Sequence, residues 1–175
     1  MNVRIAGISR ESVSDGPGFR SVIFFQGCPH HCPGCHNPQT RDLNGGDLKT
    51  IDWVIEELQI NPLVSGVTLS GGEPFAQAEA AALIAERLKK HQLNLWVYSG
   101  FTWEELLADI EKPGYRQLLN LADVVVDGPF LIKQRDINLP YRGSKNQRLI
   151  CVPESLATKQ LVLWQETKYF ERVKE

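Results

Sequence analysis

The stretch SVIFFQGCPHHCPGC, residues 21–35, joins an apolar run to a cluster of cysteines. Its first five residues are β-branched or aromatic apart from one serine, which is the composition of a buried strand. Cys28, Cys32 and Cys35 follow at the carboxyl end of that strand. The stretch therefore predicts a sheet that carries a thiol-rich loop at one edge.

Apolar strand candidates recur along the rest of the chain. They lie at residues 66–69, 95–98, 123–126 and 149–152, and residues 160–164 fit either a sixth strand or a helical tail. Helical or plausibly helical sequence follows each of the first four strands, as in a series of βα units. This alternation predicts an α/β fold with a parallel sheet and helices on its outer face.

Two amphipathic stripes and one capping box indicate where the helices lie. The stripes are Ile51, Val54, Ile55 and Leu58, and then Ala76, Ala80, Leu83, Ile84 and Leu88. Thr102 and Glu105 have the spacing of a capping box, so a third helix begins there and ends near Pro113. Residues 44–46 are expected to form a loop.

Length and composition restrict the architecture and the class of protein. With 175 residues, the chain is too short for the roughly 250 residues of a complete eight-unit barrel, so we expect an incomplete (partial TIM-like) βα barrel of about five to six strands. Residues 1–175 are expected to form a single domain. A net charge of −2 gives no reason to expect nucleic acid as a partner, and neither a membrane span nor a signal peptide is apparent. These features predict a cytoplasmic protein.

The cysteine spacing indicates a metal site in a reduced protein. Three cysteines within eight residues, with Cys151 far away, are a poor layout for a disulfide framework. Three thiolates can hold a [4Fe-4S] cluster with one iron left open, or they can form a closed zinc site with a histidine as the fourth ligand. The histidines available are His30, His31 and His36. Spacing alone leaves both metals open, and Cys151 is expected to be a small buried apolar residue.

Several motifs together carry a family resemblance. Residues 15–20 (DGPGFR), 27–38 (GCPHHCPGCHNP) and 70–74 (SGGEP) resemble the glycyl-radical-enzyme activating branch of the radical S-adenosylmethionine superfamily. Residues 123–130 (DVVVDGPF) and 139–148 (LPYRGSKNQR) resemble, within that branch, the activators of anaerobic ribonucleoside-triphosphate reductase. The superfamily pattern has an aromatic residue just before the third cysteine, whereas this chain has Gly34 there.

The resemblance implies two cofactors and a radical reaction. It implies that Cys28, Cys32 and Cys35 bind a [4Fe-4S] cluster and that Gly71, Gly72 and Glu73 bind the amino group of S-adenosylmethionine. The reduced cluster would then cleave the cofactor to a 5′-deoxyadenosyl radical, which abstracts hydrogen from a glycine Cα of a protein substrate. No side chain is expected to act as an acid or base.

Further site residues follow from the resemblance and from strand ends. The resemblance implies that Asp15, Gly16, Gly18 and Arg20 receive the glycyl loop of the partner. Ser99 and Asp127 lie at the ends of successive strands and are candidates for contacts to the cofactor or a cation. Arg142, Asn146 and Arg148 are candidates for binding a carboxylate or ribose, or for contacting the partner.

The expected partners are proteins. The large subunit of anaerobic ribonucleoside-triphosphate reductase is the expected substrate, and a flavodoxin or ferredoxin is the expected electron donor. A pyruvate formate-lyase activating enzyme is the alternative within the same branch. A non-catalytic zinc-binding interaction module is the alternative of a different class, and it would have no reason to carry residues 70–74.

Overall fold

Seven strands form one mixed sheet in the computed structural model, which describes residues 1–60 and 62–166. The strands are β1 (Asn2–Ser12), β2 (Arg20–Phe25), β3 (Asp47–Thr50), β4 (Gly66–Gly71), β5 (Asn94–Tyr98), β6 (Val124–Asp127) and β7 (Arg148–Cys151). Their order across the sheet is β3-β1-β2-β4-β5-β6-β7, so β3 and β7 form its two edges. The sheet is open rather than closed into a full barrel.

The central strands β2, β4, β5 and β6 are parallel, as the apolar runs predict. The predicted α/β class is therefore confirmed, but the sheet is larger than expected and is not parallel throughout. Strands β1, β3 and β7 pair antiparallel to their neighbours. The two strands that were not predicted, β1 and β3, are rich in polar residues and lie between β2 and one edge of the sheet. Antiparallel strands near an edge can expose one face to solvent, so they need no continuous apolar run.

Five α-helices accompany the strands in the described residues. They are α1 (Ile51–Glu57), α2 (Ala78–Lys89), α3 (Trp103–Ala108), α4 (Tyr115–Leu121) and α5 (Val152–Thr158). The first three agree with the predicted stripes and with the capping box, although residues 74–77 form a short 3-10 helix before α2. Helix α3 ends before Pro113, and α4 then begins after Gly114, whose left-handed φ of 81° reverses the chain.

The expectation of a helix after the fourth predicted strand is wrong. Between β6 and β7 the chain forms loops and one short 3-10 helix, Ile132–Gln134. Because no long crossover returns the chain to the other end of the sheet, β7 pairs antiparallel with β6. Residues 128–147 therefore stay at the carboxyl edge of the parallel strands.

The two faces of the sheet carry separate apolar clusters. Alternate strand residues such as Ile23, Leu69 and Val97 pack with the helices in the main core. Trp96, together with Val124, Val126 and Leu149, forms a smaller cluster on the opposite face. Helices therefore cover one face, while loops fold over the other.

The segment at residues 160–164 is extended rather than helical. Leu163 forms an isolated antiparallel bridge with Ile150 of β7, and the Trp164 amide donates to the Leu149 carbonyl over 2.8 Å. Residues 44–46 form the expected loop. None of the helices in the described part of the chain has the length and apolar character needed to cross a membrane.

Candidate active site

The loops that follow β2, β4, β5 and β6 line one cavity at the carboxyl edge of the parallel strands. This edge gathers loops from successive strands because the strands all point the same way. The lining residues are Cys28, His30, Cys32, Cys35, His36, Asn37, Ser70, Gly71, Gly72, Tyr98, Ser99, Gly100, Gly128, Phe130 and Gln147. The three clustered cysteines and the two glycines of the SGGEP motif therefore meet in one place.

The cysteine loop leaves β2 and returns to its own starting point. The Gly27 amide donates to the Thr40 carbonyl over 2.8 Å, and the Cys28 amide donates to the Arg41 carbonyl over 3.2 Å. The Arg41 guanidinium also donates to the Cys32 carbonyl. These bonds close the base of the loop and hold its cysteines toward the cavity.

The three thiols in this loop are unpaired and half-buried. Burial raises the pKa of the Cys28 thiol to about 11. The negative charges of Glu73, Cys32 and Cys35 raise it further, while a backbone hydrogen bond from His30 acts in the opposite direction. The sulfur atoms therefore lie within electrostatic reach of one another, and a positively charged metal group between them would stabilise their thiolates.

This donor set fits an iron-sulfur cluster. Three cysteine thiols line one cavity, and thiols that have lost their protons are the usual ligands of such clusters. Two of the three neighbouring histidines make other contacts: His30 Nε2 lies 3.1 Å from Glu73 Oε2, and the centroids of the His36 and Phe130 rings are 4.7 Å apart. In the part of the chain that the structure describes, no three His, Cys, Asp or Glu side chains, these cysteines included, are arranged closely enough to hold a single metal ion, so the fit to a cluster rests on residue type and on the shared cavity.

Gly71 and Gly72 allow strand β4 to approach the start of the cysteine loop. A Cβ at Gly72 would lie 2.4 Å from the Gly27 carbonyl oxygen, and one at Gly71 would lie 2.7 Å from Phe25 backbone atoms. Gly71 also has a φ of 92°, which side chains rarely adopt. The two glycines thus allow the backbone of β4 to contact the backbone of β2 and of the cysteine loop, and in that position they line the cavity.

Glu73 is fully buried, and four groups surround its carboxylate. Oε1 accepts hydrogen bonds from the Phe75 amide and the Ser99 hydroxyl, both over 3.0 Å. Oε2 accepts from the Gly100 amide over 2.8 Å and also contacts His30. Glu73 therefore links the ends of β4 and β5 to the cysteine loop. Ser99, predicted as a cofactor contact, lines the cavity but directs its hydroxyl to Glu73.

Asp127, the candidate for a cofactor or cation contact, is not among the described residues that line the cavity. Its Oδ2 accepts from the Trp103 amide over 2.7 Å at the start of α3, and its carboxylate pairs with Arg148. Arg148 also pairs with Glu104. Asp127 and Arg148 are therefore both part of an internal network of ion pairs. Arg148 is 21 residues from Asp127 and 44 residues from Glu104 in the sequence, so the sequence alone does not indicate these pairs.

The DGPGFR segment lies at the amino end of β2, opposite the cysteine loop. Arg20 is fully buried, and its guanidinium donates to Thr68 Oγ1 over 2.9 Å and to the Val67 carbonyl over 2.9 Å. A Cβ at Gly16 would lie 2.8 Å from the Arg20 side chain. The Arg20 guanidinium, which is expected to receive the partner's glycyl loop, is held inside the sheet by these bonds. Arg20 instead fixes the turn.

The remaining parts of this segment are more accessible. Gly18 is exposed, and Asp15 is half-buried with its carboxylate accepting from the Ser12 hydroxyl over 2.5 Å. The Asp15 carbonyl accepts from Thr68 Oγ1 over 2.7 Å. Those hydrogen bonds anchor the turn to β4.

The two other candidates, Asn146 and Arg142, and the fourth cysteine are not among the described residues that line the cavity. Asn146 donates to the Pro129 carbonyl over 2.7 Å, so it binds backbone rather than presenting its amide to a ligand. Arg142 is half-buried, and its Nε has no hydrogen-bond partner. Cys151 ends β7 and is half-buried rather than buried, because it lies where the chain turns into α5.

Sequence reasoning missed several residues that line the cavity. Phe130, Gly128 and Gln147 come from the loops after β6 and before β7, whereas Gly100 follows β5, at a strand end where the site was expected. The available signal was position, since Gly128 and Phe130 come directly after the predicted strand at residues 123–126. Gly100 is required by packing, because a Cβ there would lie 2.3 Å from the His30 ring.

Comparisons with known proteins agree with this site. A family model described as a 4Fe-4S single cluster domain matches residues 14–150. An anaerobic ribonucleoside-triphosphate reductase-activating protein of Vibrio cholerae is 36% identical over 143 residues, covering 77% of this chain and 89% of that protein. Proteins of the same name from Escherichia coli K12 and Enterobacteria phage T4 are 33% and 32% identical to this chain. The alignments cover 90% of the first protein and 85% of the second.

Among solved structures, QueE from Escherichia coli aligns with a TM-score of 0.43 at 17% identity. The alignment covers 58% of this chain, which spans about half (54%) of the QueE chain. The prediction of an iron-sulfur protein of the activating branch is confirmed by the family model and by the named relatives. The chain belongs to the family of anaerobic ribonucleoside-triphosphate reductase-activating proteins.

Proposed function

We propose that this chain generates the glycyl radical of anaerobic ribonucleoside-triphosphate reductase. One observation carries the proposal: the cysteine loop and the SGGEP motif meet in a single cavity, in a chain that belongs to the activating family. The names of the relatives favour the reductase over pyruvate formate-lyase as the substrate. The proposal treats residues 1–175 as one radical S-adenosylmethionine domain that works in the cytoplasm.

Cys28, Cys32 and Cys35 hold a [4Fe-4S] cluster in this proposal. Three protein ligands would leave one iron of the cluster free to bind S-adenosylmethionine. When bound, the reduced cluster and S-adenosylmethionine supply a 5′-deoxyadenosyl radical that takes a hydrogen atom from a glycine Cα. The three unpaired thiols at one cavity support this assignment.

Glu73 is the proposed partner of the cofactor's amino group. Three of the four groups around its carboxylate come from β4, β5 and the turns that follow them. The fourth, His30, is carried by the cysteine loop. Glu73 itself does not line the cavity, but His30, which contacts it, does. The N–H groups of the cofactor's amino group would therefore bind Glu73 by taking the place of His30, while Gly71 and Gly72 keep the cavity floor free of side chains.

The partner's glycyl loop reaches the cavity from the carboxyl edge of the sheet. That edge is built from loops rather than helices, and the sheet does not close around it. A flavodoxin or ferredoxin supplies the electron in this proposal. The DGPGFR turn lies at the other end of β2, so Asp15 and Gly18 contribute only if the partner also covers that end.

Iron content tests the cluster assignment. Anaerobic reconstitution is expected to yield about four irons and four sulfides per chain. Changing any of Cys28, Cys32 or Cys35 to Ala should abolish that content, whereas Cys151→Ala, outside the cavity lining, should leave it unchanged. Stoichiometric zinc in protein purified without oxygen would contradict the assignment.

Electron paramagnetic resonance tests the substrate. The reconstituted chain is mixed anaerobically with dithionite, S-adenosylmethionine and either the reductase or pyruvate formate-lyase. The expected result is a glycyl doublet on the reductase. A doublet on pyruvate formate-lyase with none on the reductase would reverse the assignment.

A further inference from the structure

Phe130 contributes an aromatic ring to the wall of the cavity that holds the three cysteines. It lies three residues beyond the end of β6, in the loop that stays at the carboxyl edge of the sheet. The proposed reaction assigns no role to this ring. Its surroundings show that its position is closely controlled.

Two glycines and one histidine fix the place of the Phe130 ring. A Cβ at Gly143 would lie 3.0 Å from the ring, and a Cβ at Gly34 would lie 3.5 Å from it. The His36 ring packs against Phe130 with 4.7 Å between ring centroids. Gly34 itself has a φ of 73°, a conformation that side chains rarely adopt. The absence of a side chain at residue 34 thus leaves room for Phe130 and Ile132.

Three side chains from residues 144–147 hold the backbone on both sides of Phe130. Gln147 Nε2 donates to the Gly128 carbonyl over 3.2 Å, and Asn146 Nδ2 donates to the Pro129 carbonyl over 2.7 Å. On the other side, the Leu131 amide donates to Ser144 Oγ over 3.2 Å. Side chains of residues 144–147 therefore hold the position of Phe130 through its backbone neighbours.

The other rings that line the cavity are engaged. His30 lies between Glu73 and the Phe101 ring, 4.5 Å away in an edge-on arrangement. The Tyr98 hydroxyl donates to the Tyr141 carbonyl over 2.6 Å. Phe130 and His36, which pack on each other, are the remaining rings of the lining, and Phe130 is its one phenylalanine among the described residues. The rest of the lining carries thiols, hydroxyls, side-chain amides and glycine backbone.

We propose that Phe130 is the surface on which the adenine of S-adenosylmethionine stacks, and that Asn146 is a positioning residue for that surface. The inference rests on the proposed function for the identity of the cofactor. S-adenosylmethionine has a charged amino-acid end and a flat aromatic base, and flat bases stack on aromatic side chains. If Glu73 and the cluster hold the charged end, Phe130 would offer the base an aromatic surface in the same cavity lining.

Ligand fragments separate the two ends of the cofactor in the test. Binding of S-adenosylmethionine, 5′-methylthioadenosine and methionine to the cluster-loaded chain is measured anaerobically by equilibrium dialysis. Phe130→Ala should weaken binding of the two adenine compounds about tenfold or more, with methionine affinity, iron content and cluster absorbance unchanged. Phe130→Tyr should restore most of the affinity.

Control variants separate stacking from general damage. Leu131→Ala changes the adjacent residue, which does not line the cavity, and should leave all three affinities unchanged. Asn146→Ala should reproduce the pattern of Phe130→Ala more weakly, with an unchanged circular dichroism spectrum. Unchanged affinity for the adenine compounds in Phe130→Ala, or an equal loss of methionine affinity, would overturn the inference alone. Failure of the unaltered chain to bind S-adenosylmethionine would overturn the proposed function as well.

Discussion

Glu73 and Arg20 are both fully buried charged side chains, and each joins strands at one end of the sheet. Burying a charge is costly unless hydrogen bonds compensate it. Glu73 has four polar neighbours at the carboxyl end, and Arg20 donates to several groups of β4 and β5 at the amino end. At the scale of the residue, these two charges fix the ends of the parallel strands.

We expect Glu73→Gln to destabilise the fold by about 2 kcal/mol, since the amide –NH2 would face hydrogen-bond donors such as the Gly100 amide. Urea unfolding of the protein without its cofactors measures this change. Glu79→Gln, at an exposed position of α2, is the matched control and should stay within about 0.5 kcal/mol of the unaltered protein. Equal stabilities of the two variants would show that the carboxylate network does not stabilise the fold.

Gly72→Ala should lower the iron content after reconstitution. The added Cβ would lie 2.4 Å from the Gly27 carbonyl oxygen, so the start of the cysteine loop must move. Gly7→Ala is the control, because a Cβ at Gly7 meets nothing within 4 Å. Full iron content in Gly72→Ala would mean that the cluster does not depend on the contact between β4 and the loop.

At the scale of the element, the start of α3 is the best-anchored helix end near the cavity. Thr102 and Glu105 form a complete capping box. Asp127 of β6 accepts from the Trp103 amide, and Glu104 pairs with Arg148 of β7. Carboxylates near a helix N-terminus also interact favourably with its dipole. The helix therefore ties β5, β6 and β7 together just below the cavity wall.

The pair between Glu104 and Arg148 predicts a pH dependence. Hydrogen bonds from the Arg148 guanidinium hold the pKa of Glu104 below its ordinary value. The pair therefore stabilises the fold above the unfolded pKa of about 4.3, and this contribution is lost as the pH falls through the lower folded pKa. Because the Glu104 side chain is largely exposed, we expect the ion pair to contribute at most about 0.5 kcal/mol to the free energy of unfolding.

Urea unfolding of Glu104→Gln and of the unaltered protein, compared from pH 7 to pH 3, measures this contribution. The variant should be less stable at pH 7, and the difference should shrink as the medium becomes more acidic. A difference that grows toward low pH would contradict the assigned direction of the shift.

At the scale of the whole molecule, the cysteine loop is attached to a sheet that has its own core. Ile23, Leu69 and Val97 pack with the helices away from the cavity. We therefore expect chelation of the iron to leave the far-ultraviolet circular dichroism spectrum unchanged. Amide hydrogen exchange should become faster in residues 28–37 and stay slow in β2, β4 and β5. Loss of the sheet signal on iron removal would show that the cluster is needed for folding.

The sequence predicted the parallel centre of the sheet because apolar runs buried on both faces leave an unambiguous pattern. The same runs placed the cysteines, the SGGEP glycines and Ser99 at one edge. Strand β3, with the sequence DLKT, was not predictable in this way because an exposed edge strand needs no apolar pattern. Its existence depends on pairing with β1, which is a tertiary contact.

The contacts of individual charged residues were harder to predict than their location in the fold. Asp127 and Arg148 end and begin adjacent strands, so both lie near the site, yet each satisfies the other. Arg20 was predicted to meet a partner, but its guanidinium is used within the sheet. A sequence shows that a charge is present, whereas its partner depends on which strands become neighbours.

An open sheet carries a risk of aggregation, because an unpaired edge can add a strand from another molecule. Here one edge, β3, is only four residues long and carries Asp47 and Lys49. The other edge, β7, is partly covered by residues 162–164, whose backbone bonds to Leu149 and Cys151. Short length and charge protect one side, and the chain's own tail protects the other. The sheet can thus stay open at its carboxyl edge while β3 and β7 offer little free backbone to a strand from another molecule.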